Sequence, residues 1–193
     1  MTMQWMRDSL QSLPGEDERA RDTVRERARH LLRPVGSMQR MDEIASWMAA
    51  WQSSASPSAE RVVASVFASD HGVSVAGVSG YPAEVFQPML DAYRAGHSTI
   101  AAFAKVVGAQ VVAVDVGVGK PTGDIRTEAA MDHTRFDAAA TAGRDAVMNL
   151  DADLLVIGEI GIGNTTAAAA VAAALAGGEV AAWVGRGTGV DDQ

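Results

Sequence analysis

The chain has 193 residues, 48% of them hydrophobic and 21% charged. That is enough apolar material for a sizeable core and too little charge for a disordered chain. A net charge of −8 argues against a general nucleic-acid binder but leaves room for a small anion held by backbone amides. The absence of cysteine excludes disulfides, cysteine zinc sites, iron–sulfur clusters and a thiol nucleophile.

Taken in chain order, the start from Met1 to Asp8 has no apolar signal core ahead of its charges. Residues 1–40 hold 8 arginines and 6 acidic residues. Within them, Glu16 to Leu32 places Ala20, Val24, Ala28, Leu31 and Leu32 at helical spacing. The helix is broken by Pro34-Val35-Gly36-Ser37. Ser37 is expected to cap a second helix with Met38, Met41, Ile44, Ala45 and Met48 on one face. Ser53 to Ala59 reads as a linker. Residues 1–59 are thus expected to form a helical N-terminal arm and linker, and residues 60–193 a parallel α/β core.

In that core, Val62–Ala68, Val111–Val116 and Leu154–Ile157 are short apolar, β-branched runs of the kind buried on both faces of a parallel sheet. Helical stretches alternate with them: Ala83–Val107, Phe136–Leu150 and Thr165–Ala176. A fourth strand is expected over Ala181–Val184. The fold class is α/β, a Rossmann-like parallel sheet with flanking helices and an N-terminal helical arm, read as an incomplete domain. Ala167–Ala176, the most apolar stretch, is too short to span a bilayer. A cytoplasmic protein without membrane or nucleic-acid partners is expected.

In such sheets the ligand lies at the carboxyl ends of the strands, so the loops there are read for chemistry. After the first strand comes a glycine-rich segment from Ser69 to Pro82. Its Asp70-His71 pair suits acid–base or metal chemistry, or a capped strand end with a locally packed imidazole. No His-Glu-x-x-His spacing supports a metal, and Tyr81 displaces the last glycine of a serine-hydrolase elbow. After the second strand, Asp115 suits a ribose hydroxyl or a simple turn. After the third, Gly158-Glu159-Ile160-Gly161-Ile162-Gly163-Asn164-Thr165-Thr166 runs into a helix that Asn164 or Thr165 is expected to cap. Glycines there let the backbone approach a phosphate or carboxylate at the helix N-terminus. The segment has neither the lysine of a Walker loop nor the third glycine of a dinucleotide fingerprint. Val184 to Asp192 carries a further run, Gly185-Arg186-Gly187-Thr188-Gly189, readable as an anion-binding turn or a tail. Val190-Asp191-Asp192 reads as a helix entry.

In order along the chain, these segments resemble those of the nicotinate-nucleotide–dimethylbenzimidazole phosphoribosyltransferase family of cobalamin nucleotide-loop assembly. The matching pieces are Pro34-x-Gly36-Ser37, Asp70-His71-Gly72-Val73, Gly77-Val78-Ser79-x-Tyr81-Pro82, Val114-Asp115-Val116-Gly117, the Gly158–Thr166 string and Gly185–Gly189. Met38-Gln39 replaces the family's Leu-Gly, and Phe86 stands where it usually has Thr.

The resemblance implies phosphoribosyl transfer from nicotinate mononucleotide to 5,6-dimethylbenzimidazole, giving α-ribazole 5′-phosphate and nicotinate. It implies a glycosyltransferase of the pentosyltransferase type, generally a homodimer, with no cofactor and no metal. Gly161, Ile162, Gly163, Asn164, Thr165, Thr166, Gly185, Arg186, Gly187 and Thr188 are the implied phosphate and nicotinate cradle. Glu159 contacts the nucleotide, and Tyr81, Pro82 and Met89 wall the base pocket. Asp70 and His71 complete the expected substrate-binding set. The similarity covers the N-terminal portion of the family only; its general-base glutamate is expected beyond Gln193, so no catalytic residue is assigned. The alternative is a truncated, non-catalytic nucleotide- or base-binding member. An unrelated α/β module whose glycine loops coincide is disfavoured by the ordered motifs.

Overall fold

A computed structural model describes residues 4–188. The chain divides into two compact units, with the division between Arg61 and Val62.

The first unit contains α1 (Gln4–Gln11), α2 (Glu18–Arg29) and α3 (Gln39–Gln52). Asp17 caps α2, its carboxylate accepting from the Ala20 amide at 3.0 Å, while its own N–H donates to the Ala50 carbonyl at 2.9 Å. The helix pair buries small residues: Ala20 from α2, and Ser46, Ala49 and Ala50 from α3. The larger apolar side chains of α3, Met41, Ile44, Trp47 and Trp51, stay exposed. Ser37 does not cap α3. The N-cap is Met38 without a side-chain bond, because Ser37 is held in a turn by its N–H to the Pro34 carbonyl. The segment expected to be a linker is pinned: the Gln52 amide both donates to the Ser58 carbonyl and accepts from the Ser58 N–H.

The second unit is built on β1 (Val62–Ala68), β2 (Gln110–Asp115) and β3 (Leu154–Ile160), a parallel sheet in the order β2-β1-β3. β1 is central and nearly continuously buried, as its run of apolar residues requires. The expected helix over Ala83–Val107 is two, α4 (Phe86–Arg94) and α5 (Thr99–Val107). Gly96, at φ +73°, ends the first, and Ser98 caps the second through the Ala101 amide at 3.3 Å. Both pack against β2. Phe86 and Leu90 are fully inside, with Ala101, Ala104 and Val73. Phe86, the first residue of α4, is thus part of the core.

α6 (His133–Met148) carries the chain from β2 across β1 to β3, and α7 (Asn164–Ala176) follows. Asp132 caps α6, accepting from the Arg135 amide at 2.7 Å. Asp132→Ala is expected to cost about 1 kcal/mol, read as a fall in the urea midpoint at unchanged slope.

The expected fourth strand does not form. Val180–Ala182 is a single 3-10 turn, and Trp183 folds back to donate its indole N–H to the Gly177 carbonyl at 3.0 Å. A strand needs a neighbour for its backbone groups, and this segment instead turns onto the end of α7. Gly189 and the expected helix entry at Val190-Asp191-Asp192 lie outside the described residues.

Candidate functional site

Strand register brings the loops together. Ala68 pairs with Asp115 on one side and Ile160 on the other, so all three strands end at one level. The chain leaves β1 toward β2, then crosses to β3 on the opposite flank. That reversal opens a crevice between the β1 and β3 loops, where open parallel sheets bind ligands.

Glycine lets the two loops touch. A Cβ on Gly161 would lie 2.6 Å from the Ser69 carbonyl oxygen and 2.2 Å from Asn164 Oδ1. A Cβ on Gly163 would lie 2.8 Å from Val73 Cγ1 and 3.3 Å from His71 Cβ. Gly163 also has φ +91°, open to glycine and strained for other residues. It is Gly163 that occupies the N-cap of α7, with no side-chain cap, rather than Asn164 or Thr165. The Asn164 amide donates to the Gly161 carbonyl at 3.2 Å, which leaves the Thr165 and Thr166 amides without a side-chain cap, and the helix dipole favours an anion there. Thr165 is exposed, Thr166 half-buried, and Ile162 buried in the core, where it anchors the turn by packing.

Glu159 is near the end of β3, level with Phe67. Its side chain is partly open to solvent, yet burial pushes its carboxyl above the usual range, with the nearby His71 pulling the other way. His71 Nε2 lies 3.4 Å from Ser69 Oγ, within the same loop. Among the described residues, no group of three or more His, Asp or Glu is arranged to hold a metal ion.

Asp70 ties two loops together. Its Oδ2 accepts from the Gly119 amide at 2.7 Å, and its carbonyl accepts from the Thr122 amide at 3.1 Å. The Gly72 N–H donates to Thr122 Oγ1 at 3.1 Å. Asp115 turns the β2 loop locally, accepting from the Gly117 and Val118 amides at 3.0 and 2.9 Å. Arg135 holds the far side of that loop through the Lys120 and Pro121 carbonyls. Asp70 Oδ1 and Asn164 Oδ1 are buried without a hydrogen-bond partner.

Thr122 and Gly119 escape sequence reasoning, because contacts across about fifty residues leave no periodic signal. Gly119 does carry a local one, a glycine pair in Gly117-Val118-Gly119.

Tyr81, Pro82 and Met89 all present exposed surface. Gly187, at φ +56°, brings the C-terminal glycine turn against α7: a Cβ there would lie 3.2 Å from Thr165 Oγ1. Thr188 Oγ1 donates to Ser79 Oγ at 2.7 Å, joining that turn to the loop bearing Tyr81. Gly185 and Arg186 lie in the same turn and are exposed.

This arrangement has close counterparts. A phosphoribosyltransferase family model matches residues 13–193. An enzyme of Mesorhizobium japonicum named nicotinate-nucleotide–dimethylbenzimidazole phosphoribosyltransferase is 44% identical over 97% of this chain and 55% of its own. One of the same name from Cereibacter sphaeroides is 42% identical over 93% of this chain and 53% of its own. The crystal structure of CobT from Thermus thermophilus superposes with a TM-score of 0.84 at 36% identity, over 90% of this chain and 58% of that one. The chain spans about half the length of the curated relatives it matches. With the fold, the ordered glycine loops and these likenesses in agreement, the chain belongs to the nicotinate-nucleotide–dimethylbenzimidazole phosphoribosyltransferase family.

Proposed function

We propose that this chain binds nicotinate mononucleotide and 5,6-dimethylbenzimidazole and takes part in phosphoribosyl transfer between them, yielding α-ribazole 5′-phosphate and nicotinate. The observation that carries the reading is the close approach of the β1 and β3 loops at the N-terminus of α7, which has no side-chain cap and lies just after Glu159. A phosphate on the α7 amides fixes the ribose, with Gly161, Gly163, Asn164, Thr165 and Thr166 around it and Gly185, Arg186, Gly187 and Thr188 on its open side. Glu159 accepts hydrogen bonds from the nucleotide. The two unpartnered acceptors, Asp70 Oδ1 and Asn164 Oδ1, suit a hydroxyl-rich ligand, since a donor supplied to a buried acceptor relieves its desolvation cost.

The base lies against Tyr81, Pro82 and Met89, whose flat and polarizable surfaces suit an aromatic ring. A ring nitrogen of the base attacks the anomeric carbon, nicotinate leaves from the opposite face, and the configuration inverts. Holding both partners in line lowers the barrier by fixing their orientation. His71, near Glu159, counters the effect of burial on that carboxyl and belongs with Asp70 to the substrate-binding set.

A homodimer in the cytoplasm is part of the same proposal. The exposed stripe of Met41, Ile44, Trp47 and Trp51 on α3 supports self-association. Among the described residues, no helix is long and apolar enough to cross a membrane.

Titration calorimetry with nicotinate mononucleotide and with dimethylbenzimidazole, followed by an assay of nicotinate release, tests the reading. Binding of both is expected. A chain that takes up neither ligand does not have this site.

A further inference from the structure

The loop that carries Tyr81 is fastened to the nucleotide side of the crevice at two points of different character. Near its start, Val73 and His71 pack directly on Gly163. Near its end, a hydrogen bond from Thr188 Oγ1 to Ser79 Oγ, 2.7 Å long and spanning 109 residues of sequence, ties it to the turn at residues 185–188. The first attachment is backbone and apolar packing. The second includes an exposed hydroxyl pair, which can form and break.

Ser79 has a particular position in that pair. Its Oγ also accepts from the Tyr81 N–H at 3.1 Å. A serine oxygen has two acceptor sites and one proton. With Tyr81 and Thr188 filling both acceptor sites, the backbone direction at Tyr81 and the hydroxyl of Thr188 are set through one atom. The turn bearing Thr188 meets Thr165 of α7 through Gly187. A ligand that orders the α7 N-terminus therefore acts on Thr188, and through it on Ser79 and Tyr81.

We propose that Thr188 is a positioning residue that couples the two half-sites: nucleotide bound at the α7 N-terminus and the 185–188 turn fixes the Thr188 hydroxyl on Ser79, and so sets the Tyr81 loop to receive the base. The coupling rests on the nucleotide-and-base reading above; the hydrogen bond itself does not. Coupling of this kind is reciprocal, so the base must tighten the nucleotide by the same factor.

Two measurements on the 193-residue chain test it. In hydrogen exchange without ligand, Thr188→Val is expected to raise exchange across residues 77–82, while Thr188→Ser, which keeps the hydroxyl, leaves it at the wild-type level. In calorimetry, the factor by which nicotinate mononucleotide tightens dimethylbenzimidazole is expected to be about 5-fold or more in the wild type. It is expected to fall to near unity in Thr188→Val, in Ser79→Ala and in the double variant alike, and to return in Thr188→Ser. Full coupling in Thr188→Val with both ligands bound overturns the proposal. So does a serine variant that behaves like valine, since packing and not the hydroxyl would then be at work. If the wild type binds neither ligand, the functional reading fails and the coupling with it, whereas unchanged loop exchange in Thr188→Val overturns the coupling and leaves the functional reading in place.

Discussion

Gly72→Ala is expected to destabilise the second unit by about 3 kcal/mol or more and to abolish nucleotide binding. A Cβ at this position would sit 2.3 Å from the Thr122 carbonyl oxygen, 2.7 Å from the Gly123 carbonyl carbon and 2.8 Å from the Asp124 amide. All three are backbone atoms, so no side chain can rotate away. Gly123 is itself confined, with the Ala129 carbonyl 2.3 Å from where its Cβ would be, so the β2 loop cannot retreat. The clash would also break the Gly72 to Thr122 hydrogen bond and strain the Asp70 contacts that align the β1 loop. Gly77 is the control. It has φ +71° but open space around it, so Gly77→Ala is expected to cost only the conformational penalty of about 1–2 kcal/mol. Urea denaturation of both variants decides the matter. Equal midpoints would mean that the β1 and β2 loops are not clamped together at Gly72.

That clamp marks the limit of what residue order reveals. The strands are legible because each is a short apolar run between turn residues, and β1 spans the residues expected of it. β3 runs further at its carboxyl end than its apolar run suggests. Gly158 and Glu159 look like loop residues, yet they remain in the ladder because Val66 and Phe67 of the central strand pair with them. The break between α4 and α5 is marked by Gly96 and Ser98, but the apolar period on either side masks it. The expected Ala181–Val184 strand rests on local composition alone, and composition cannot supply a neighbouring strand. Pairings across sequence, such as Asp70 with Gly119, Gly72 with Thr122 and Ser79 with Thr188, depend on where crossovers deposit the loops. No local pattern encodes them. The motif residues are identifiable from sequence; which of them present a group to a ligand and which hold the loops together is not.

Glu159→Gln is the second large effect, and it is expected to separate stability from function. Burial raises the Glu159 carboxyl above its ordinary 4.5, so the folded chain binds a proton more readily there than the unfolded chain does. Between the ordinary value and the raised one the folded state holds more protons, and stability falls as pH rises through that window. Above it, the ionised carboxylate is a standing cost to the fold, only partly relieved by His71. Glutamine removes that charge at nearly constant shape. The variant is therefore expected to match or exceed the wild type in urea midpoint at pH 7, with the difference vanishing below the window. Binding should move the other way. A hydrogen bond to a charged acceptor contributes about 1.5–3 kcal/mol, so nicotinate mononucleotide affinity is expected to fall about ten-fold or more at pH 7. The gap between wild type and variant should then close as the pH is lowered and the wild-type carboxyl takes up its proton. A variant that gains stability yet binds the nucleotide as tightly as the wild type at pH 7 would remove Glu159 from the site. Weaker binding that persists unchanged at low pH would assign the loss to altered shape instead of lost charge.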